Sequence, residues 1–85
     1  MDRHKASAAV GLLERVARGE LGASTALDEW PVDAEPDEIL NASWHDLSHF
    51  AVDLDIRMKD PRYKTYQVSL LLKRAEQIRE KYGVR

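Results

Sequence analysis

Apolar residues recur every three or four positions along most of the chain, which is the spacing of amphipathic helices. In the first segment the repeat is formed by Val10, Leu12, Leu13, Val16 and Ala17. This spacing predicts a first helix over residues 3–18, which Gly19 ends. A second, shorter helix is predicted over residues 23–29, and the Trp30-Pro31 pair closes it.

The third predicted helix, over residues 36–56, has the clearest pattern. Its apolar positions step by four, three, four and three residues, at Leu40, Trp44, Leu47, Ala51 and Leu54. We expect this stripe to face the core. A second stripe with the same kind of spacing lies on the opposite side of the helix, at Ala42, His45, His49, Val52 and Ile56. Two alternatives stay open for it: cover by the first two helices, or an exposed face for a partner or a second copy.

The last predicted helix covers residues 61–82. Asp60 suits its N-cap, Pro61 its first position and Gly83 its left-handed stop. Its buried stripe consists of Val68, Leu71, Ala75, Ile78 and Tyr82. No strand pattern competes, and the connections are short enough for neighbouring helices to pack antiparallel. The sequence therefore predicts one all-α domain over residues 1–85, a small antiparallel four-helix bundle.

Charge is sorted along the chain. Of its 15 acidic residues, ten lie within residues 28–60 against two basic residues, Arg57 and Lys59, which gives this stretch a net charge of −8. Residues 61–85 hold seven basic residues against two acidic ones, a net charge of +5. We expect the basic last helix to lie beside the acidic third helix and to neutralise part of it. The acids left over would attract a partner with a basic surface.

The predicted partner-binding residues are therefore mostly acidic, with one aromatic anchor on the condition that it is exposed, since aromatic residues dominate interface hot spots. They are Asp28, Glu29, Trp30, Asp33, Glu35, Asp37, Glu38, Asp46, Asp53 and Asp55. Direct nucleic-acid binding is not expected, because the acidic middle of the chain would repel phosphates and no nucleic-acid motif accompanies the basic end.

His45-Asp46-Leu47-Ser48-His49 has the form of a zincin helix motif with Asp in place of the usual Glu. His45 and His49, one turn apart, and Asp53, one turn further, could supply three metal ligands and make the chain a metal-dependent hydrolase. A zincin, however, needs a third ligand outside this helix and a substrate-binding sheet. The prediction is therefore a protein without a metal, cofactor or catalytic residues.

A charged corner separates the third and last predicted helices. Asp53 and Arg57 stand four residues apart, and Arg62 follows beyond the turn. One interpretation is a hydrogen-bonded corner that fixes the angle between the helices, with the arginines on carboxylates. The other makes the corner part of a binding edge.

The chain has no cysteine, so disulfides and thiolate metal sites are excluded, and a reducing compartment is the natural reading. It shows no apolar run of the length of a signal peptide or a membrane span. We therefore expect a cytoplasmic protein that does not bind a membrane.

The order of the parts resembles the colicin D-type immunity family. The shared features are a short first helix running into Gly19-Glu20-Leu21-Gly22-Ala23, Glu38-Ile39-Leu40-Asn41 opening a long helix, and Asp53, Asp55 and Arg57 near its end. This resemblance implies a four-helix bundle whose acidic face fills the basic active-site cleft of a ribonuclease toxin in place of its tRNA substrate. The chain departs from the family in its mild net charge of −2.

These patterns together predict a small non-enzymatic protein-binding domain with an acidic face. Its sharpest version is an immunity-like or antitoxin-like inhibitor of a basic nuclease. The alternative is a homodimeric helical protein that uses the Ala42/His45/His49/Val52/Ile56 stripe. A further alternative is the metal-dependent hydrolase built on His45, His49 and Asp53.

Overall fold

The computed structural model describes residues 3–31 and 37–84, which form five α-helices and no β-strand. The helices are α1 (Arg3–Ala17), α2 (Ala23–Glu29), α3 (Glu38–Val52), α4 (Leu54–Lys59) and α5 (Pro61–Tyr82). The all-α prediction is confirmed. The predicted first, second and last helices agree with α1, α2 and α5 to within one residue. The predicted third helix corresponds to two helices, and a four-helix bundle is therefore not confirmed as such.

The core is built mainly between α1 and α5, which run antiparallel. Arg3, at the start of α1, donates a hydrogen bond to the carbonyl oxygen of Gly83, just beyond α5, at 2.8 Å. Several of the core side chains are alanines, which allow two helix backbones to approach closely. The buried residues of these two helices include Ala6, Ala9, Val10, Leu13, Val16, Leu71, Ala75 and Ile78.

Two ion pairs fasten α3 against α5. Lys81 Nζ lies 2.7 Å from Asp37 Oδ2, and Arg74 Nε lies 2.6 Å from Asp46 Oδ2. Asp37, the acid that comes first in the sequence, pairs with Lys81, the base that comes last, so the two helices run antiparallel. The expectation that the basic last helix neutralises part of the acidic third helix is thus confirmed.

The prediction of one helix over residues 36–56 is wrong at both ends and in the middle. The helix begins at Glu38, because the Asp37 side chain accepts a hydrogen bond from the Leu40 N–H at 3.0 Å and acts as the N-cap. It ends at Val52, and a separate helix begins at Leu54. Asp53 between them leaves helical geometry, with φ −94° and ψ 20°. Pro36 lies outside the described residues.

The predicted core stripe of the third helix is also partly wrong. Trp44 is 43% exposed and Leu54 is exposed, while Ser43 is fully buried. The buried stripe of α3 is therefore rotated towards Ser43. Burial of this serine is tolerated because its hydroxyl donates to the Ile39 carbonyl oxygen at 2.7 Å.

The predicted helix ends around α5 are confirmed. The Asp60 side chain accepts from the Arg62 N–H at 3.0 Å, and Pro61 occupies the first helical position. Gly83 has φ 64°, a left-handed conformation that only glycine adopts readily. The buried stripe of α5 has its predicted register, with Leu71, Ala75 and Ile78 buried. No helix in the described parts of the chain has the length and apolar character needed to cross a membrane.

The Asp37 carboxylate carries a pH dependence of stability. Only 9% of its side chain is exposed. Burial raises its pKa, but the hydrogen bonds from Lys81 and from the Leu40 N–H, with the charge of Lys81, outweigh burial and leave the pKa below its ordinary 3.8. The carboxylate is thus favoured in the folded state, and its contribution is present above pH 3.8 and lost as the pH falls through the lower folded-state value.

We therefore expect Asp37→Ala to lower the free energy of unfolding by about 1 kcal/mol at neutral pH. The difference from the wild-type protein should shrink towards zero in strong acid. Urea unfolding between neutral pH and about pH 2 measures both effects. Asp55→Ala is the matched control, since this exposed carboxylate has no partner among the described residues. A loss for Asp37→Ala that is independent of pH would contradict the assigned ion pair.

Candidate functional site

The exposed acids among the predicted partner-binding residues do not form one face. Asp28 and Glu29 end α2, and Glu38 begins α3. Asp55 is exposed on α4. Seventeen helical steps separate Glu38 from Asp55, which is roughly 25 Å along the chain direction. The exposed acids therefore divide between two places on the molecule.

Three other predicted partner-binding acids are engaged inside the protein. Asp37 and Asp46 pair with α5, and Asp53 belongs to a hydrogen-bond network described below. Their carboxylates serve first to position helices. Asp33 and Glu35 lie outside the described residues.

Trp30 does not meet the condition set for an interface anchor. It is only 9% exposed and belongs to the hydrophobic core. Trp30 follows α2 directly, and its backbone N–H donates a hydrogen bond to the Leu27 carbonyl oxygen at 3.3 Å. Its indole packs the short helix α2 onto the core, so the exposure on which its role as an anchor was conditional is not found.

The two histidines of the zincin-like segment are both exposed on α3. The ring of His45 meets the ring of Trp44 edge-on, with 5.4 Å between centroids. Asp53 accepts hydrogen bonds from α5. Within the described ranges, no three His, Cys, Asp or Glu side chains come together as a metal site would require. The structure does not bring His45, His49 and Asp53 together as a ligand set.

The second stripe of the third predicted helix is exposed, and the alternative in which α1 and α2 cover it is wrong. His45, His49, Val52 and Ile56 all have more than a third of their surface exposed, and only Ala42 is half-buried. The break at Asp53 also places Ile56 on a separate helix. The stripe is thus an exposed surface of α3 that continues, bent, into α4.

A hydrogen-bond network forms the corner between α3, α4 and α5. The Asp53 carboxylate accepts from the Tyr63 hydroxyl at 2.7 Å and from Gln67 Nε2 at 3.1 Å. Gln67 Oε1 in turn accepts from Arg57 Nη1 at 2.9 Å. Gln67 is only 5% exposed, and its amide uses both its donor and its acceptor side. The prediction of a hydrogen-bonded corner is confirmed, but the partners of Asp53 are Tyr63 and Gln67 instead of arginines.

Arg57 is held on three sides. Its guanidinium carbon lies 3.7 Å from the centre of the Phe50 ring, a cation–π contact. Its Nη1 donates to the Phe50 carbonyl oxygen and to Gln67. The charge of Arg57 is therefore fixed in position without a carboxylate partner from residues 3–31 or 37–84.

A groove with a volume of about 410 Å³ lies beside this corner. It runs between the end of α1, the loop that leads into α2, the α3–α4 bend and the first half of α5. Its apolar lining includes Val16, Leu21, Phe50, Leu54 and Val68. Among the described residues its charged lining consists of Arg18, Arg57 and Lys64, without a carboxylate.

A smaller cavity of about 170 Å³ adjoins the same network between α3 and α5. Its lining is Asp46, His49, Tyr63, Tyr66, Gln67 and Leu70. Tyr63 and Gln67 thus help to shape this cavity, while Arg57 helps to shape the groove. The corner determines the shape of both.

Gln67 is the site residue that the sequence analysis missed. It stands four residues before Leu71, which places it on the buried stripe of α5. A polar residue at a buried stripe position requires hydrogen-bond partners. This was the signal in the sequence, and the acids and arginine of the preceding corner were the available partners.

No protein-family model, curated protein or solved structure matches this chain. The likeness to colicin D-type immunity proteins therefore stays an expectation from the order of the helices. The contacts of the corner, the groove and the exposed apolar residues are the basis for a functional proposal.

The corner network predicts that the Tyr63 hydroxyl loses its proton at a higher pH than an ordinary tyrosine. The hydrogen bond to Asp53, followed by partial burial and the negative charge of that carboxylate, raises the pKa of Tyr63 above its ordinary 10.0. In Asp53→Ala the pKa of Tyr63 should fall towards that ordinary value. Absorbance titration of tyrosinate, with Tyr63→Phe subtracted to isolate this ring, measures both values.

Tyr66→Phe is the comparison for that titration, because Tyr66 is exposed and stacks on Tyr63 with centroids 6.2 Å apart. Its charge raises the pKa of Tyr63 less than the hydrogen bond to Asp53 does, so this variant should lower that pKa by less than Asp53→Ala. A Tyr63 pKa at or below 10.0 in the wild-type protein would show that its hydroxyl does not donate to Asp53.

Proposed function

We propose that this protein is a small non-enzymatic protein-binding domain and that its partner contacts the apolar surface of α3 and α4. This surface is defined by Trp44, Val52, Leu54, Ile56 and Met58. Its scaffold is a four-helix bundle in which α3 and α4 together take the place of one bent helix. The proposal is supported by the exposure of these side chains.

The observation that carries the proposal is that α4 buries none of its six residues although three of them are large and apolar. Met58 is 76% exposed, and Val52 just before the bend is 75% exposed. A chain of 85 residues builds only a modest core and has few large apolar residues to place. Five exposed large apolar side chains within residues 44–58 of a small protein favour an interaction site in this region.

The exposed acids at the far end of α3, Asp28, Glu29 and Glu38, favour a basic partner. Beside the apolar surface itself, exposed Asp55 and Asp60 are balanced by exposed Lys59 and Arg62. Exposed acids of this kind accelerate encounter with a positively charged protein. Inhibition of a basic nuclease, as in immunity proteins, is the specific version of this proposal.

A homodimer is the second candidate, favoured by the exposure of His45, His49, Val52 and Ile56. In a dimer these residues would bury one another across a two-fold axis. Light scattering over a range of protein concentrations separates the two candidates, because only the dimer doubles its mass without a second protein.

The protein-binding proposal is tested by affinity capture from the native host. We expect the wild-type chain to retain a basic protein that Ile56→Ser/Met58→Ser no longer retains. The matched control is Leu72→Ser, which also removes an exposed apolar side chain but lies on α5. Loss of capture with the control variant would show a general effect on solubility or folding.

The acids are tested separately with a quadruple variant, Asp28→Asn/Glu29→Gln/Glu38→Gln/Asp55→Asn. We expect slower association with the captured partner and a weaker dependence of that rate on salt.

Equal capture by the wild-type chain and by Ile56→Ser/Met58→Ser would refute the apolar surface as the contact.

A further inference from the structure

The groove beside the corner differs in charge from the rest of the protein. Three of its lining residues, Arg18, Arg57 and Lys64, are cations, and none of its lining residues in the described part of the chain is an acid. The whole chain has a net charge of −2 and more acidic than basic residues. A cationic groove on an acidic protein attracts an anion specifically to this place.

The walls of the groove are apolar and come from separate elements. Val16 belongs to α1, Phe50 to α3, Leu54 to α4 and Val68 to α5, and Leu21 lies in the loop before α2. A ligand along these walls would bury apolar area against four helices. Small-molecule sites have this composition, mostly apolar with a few placed charges, and volumes of about 300–1,000 Å³.

The three cations differ in how far their side chains are already held in place or paired with an acid. Arg57 is already fixed by Phe50 and Gln67, so a ligand would not have to order it. Lys64 is exposed and has no partner among the described residues. Arg18 lies 3.2 Å from Glu20, but both side chains are more than half exposed, and such a pair is weak.

From these features we infer that the groove binds a small amphipathic anion, with a carboxylate at the cations and an aliphatic body along the apolar walls. A volume of about 410 Å³ suits one such molecule. A peptide helix is about 10 Å across even as a narrow cylinder and needs a much longer trough. The groove is thus a ligand site in addition to the proposed protein contact, and of its lining only Leu54 belongs to the apolar surface.

The test uses the full chain and decanoate as the probe, below its micelle concentration. Isothermal titration measures affinity and stoichiometry, and amide shifts in two-dimensional NMR show where the probe lies. 1-Decanol and decylammonium carry the same chain without the negative charge. We expect one decanoate per chain, shifts at Leu21, Gly22 and Phe50, and weaker binding of both matched compounds.

Two variants address the site directly. Lys64→Met removes an exposed charge while keeping the length of the side chain, and we expect about two- to fivefold weaker decanoate binding. Ala51→Leu places a larger side chain into the groove from α3 and should abolish binding. Arg57 is left unchanged because it also holds the corner.

The matched control is Lys73→Met. Lys73 is exposed on α5 and lies nine residues from Lys64, about 180° around the helix. Its removal changes the net charge equally but should leave decanoate affinity unaltered. Circular dichroism and urea unfolding establish that all three variants are folded.

Four outcomes would overturn the inference. The first is no saturable decanoate binding, and the second is binding of 1-decanol as tight as that of decanoate. The third is an equal loss for Lys64→Met and Lys73→Met, which would mean that only net charge matters. Amide shifts confined to Trp44, Val52 and Met58 would assign the probe to the apolar surface instead and would equally refute the groove as the site.

Discussion

The hydrogen bonds of the Asp53 carboxylate are the interactions on which the corner between α3, α4 and α5 depends. Asp53 lies between α3 and α4, yet it caps neither with its side chain, because both of its hydrogen-bond donors come from α5. The bond to Gln67 continues to Arg57 and from there to Phe50. A single carboxylate thus joins the end of α3, the whole of α4 and the start of α5.

The bend at Asp53 explains why the two ends of the bundle differ. At one end α3 is tied to α5 by the ion pair of Asp37 with Lys81, and the core between α1 and α5 is dense. At the other end helical geometry is interrupted at Asp53, and α4 lies on α5 without burying any of its own residues. Apolar side chains of α4 stay exposed, and the groove opens between the bend and the loop before α2. Both proposed binding places therefore arise from one departure from a straight third helix.

The sequence was sufficient for the helices whose ends have local signals. Asp60-Pro61 and Gly83 mark α5 by chemistry that acts within one turn, and the structure agrees at both ends. It was not sufficient for the third helix. Two apolar stripes of nearly equal regularity run along it, and periodicity alone does not choose between neighbouring rotations of a helix.

The choice of rotation in α3 is made by contacts that the sequence does not display. Ser43 can face the core because its hydroxyl is satisfied within its own helix, which leaves Trp44 half outside. The break at Asp53 depends on Tyr63 and Gln67, ten and fourteen residues later. A structural corner was one of two interpretations of these acids, and the local charge pattern favoured arginine partners four residues away over neutral partners on another helix.

The sorted charge of the sequence acquires a different meaning in the structure. Acids within residues 37–53 mainly hold α3 to α5, at Asp37, Asp46 and Asp53. Of the described acids within residues 28–60, the exposed ones lie at the end of α2, at the start of α3 and on or just after α4, whereas Arg18, Arg57 and Lys64 line the groove. Opposite charges are thus available at separate places on one small domain. A basic protein and a small anion would for this reason not compete for the same charges, and each would be drawn to its own part of the surface.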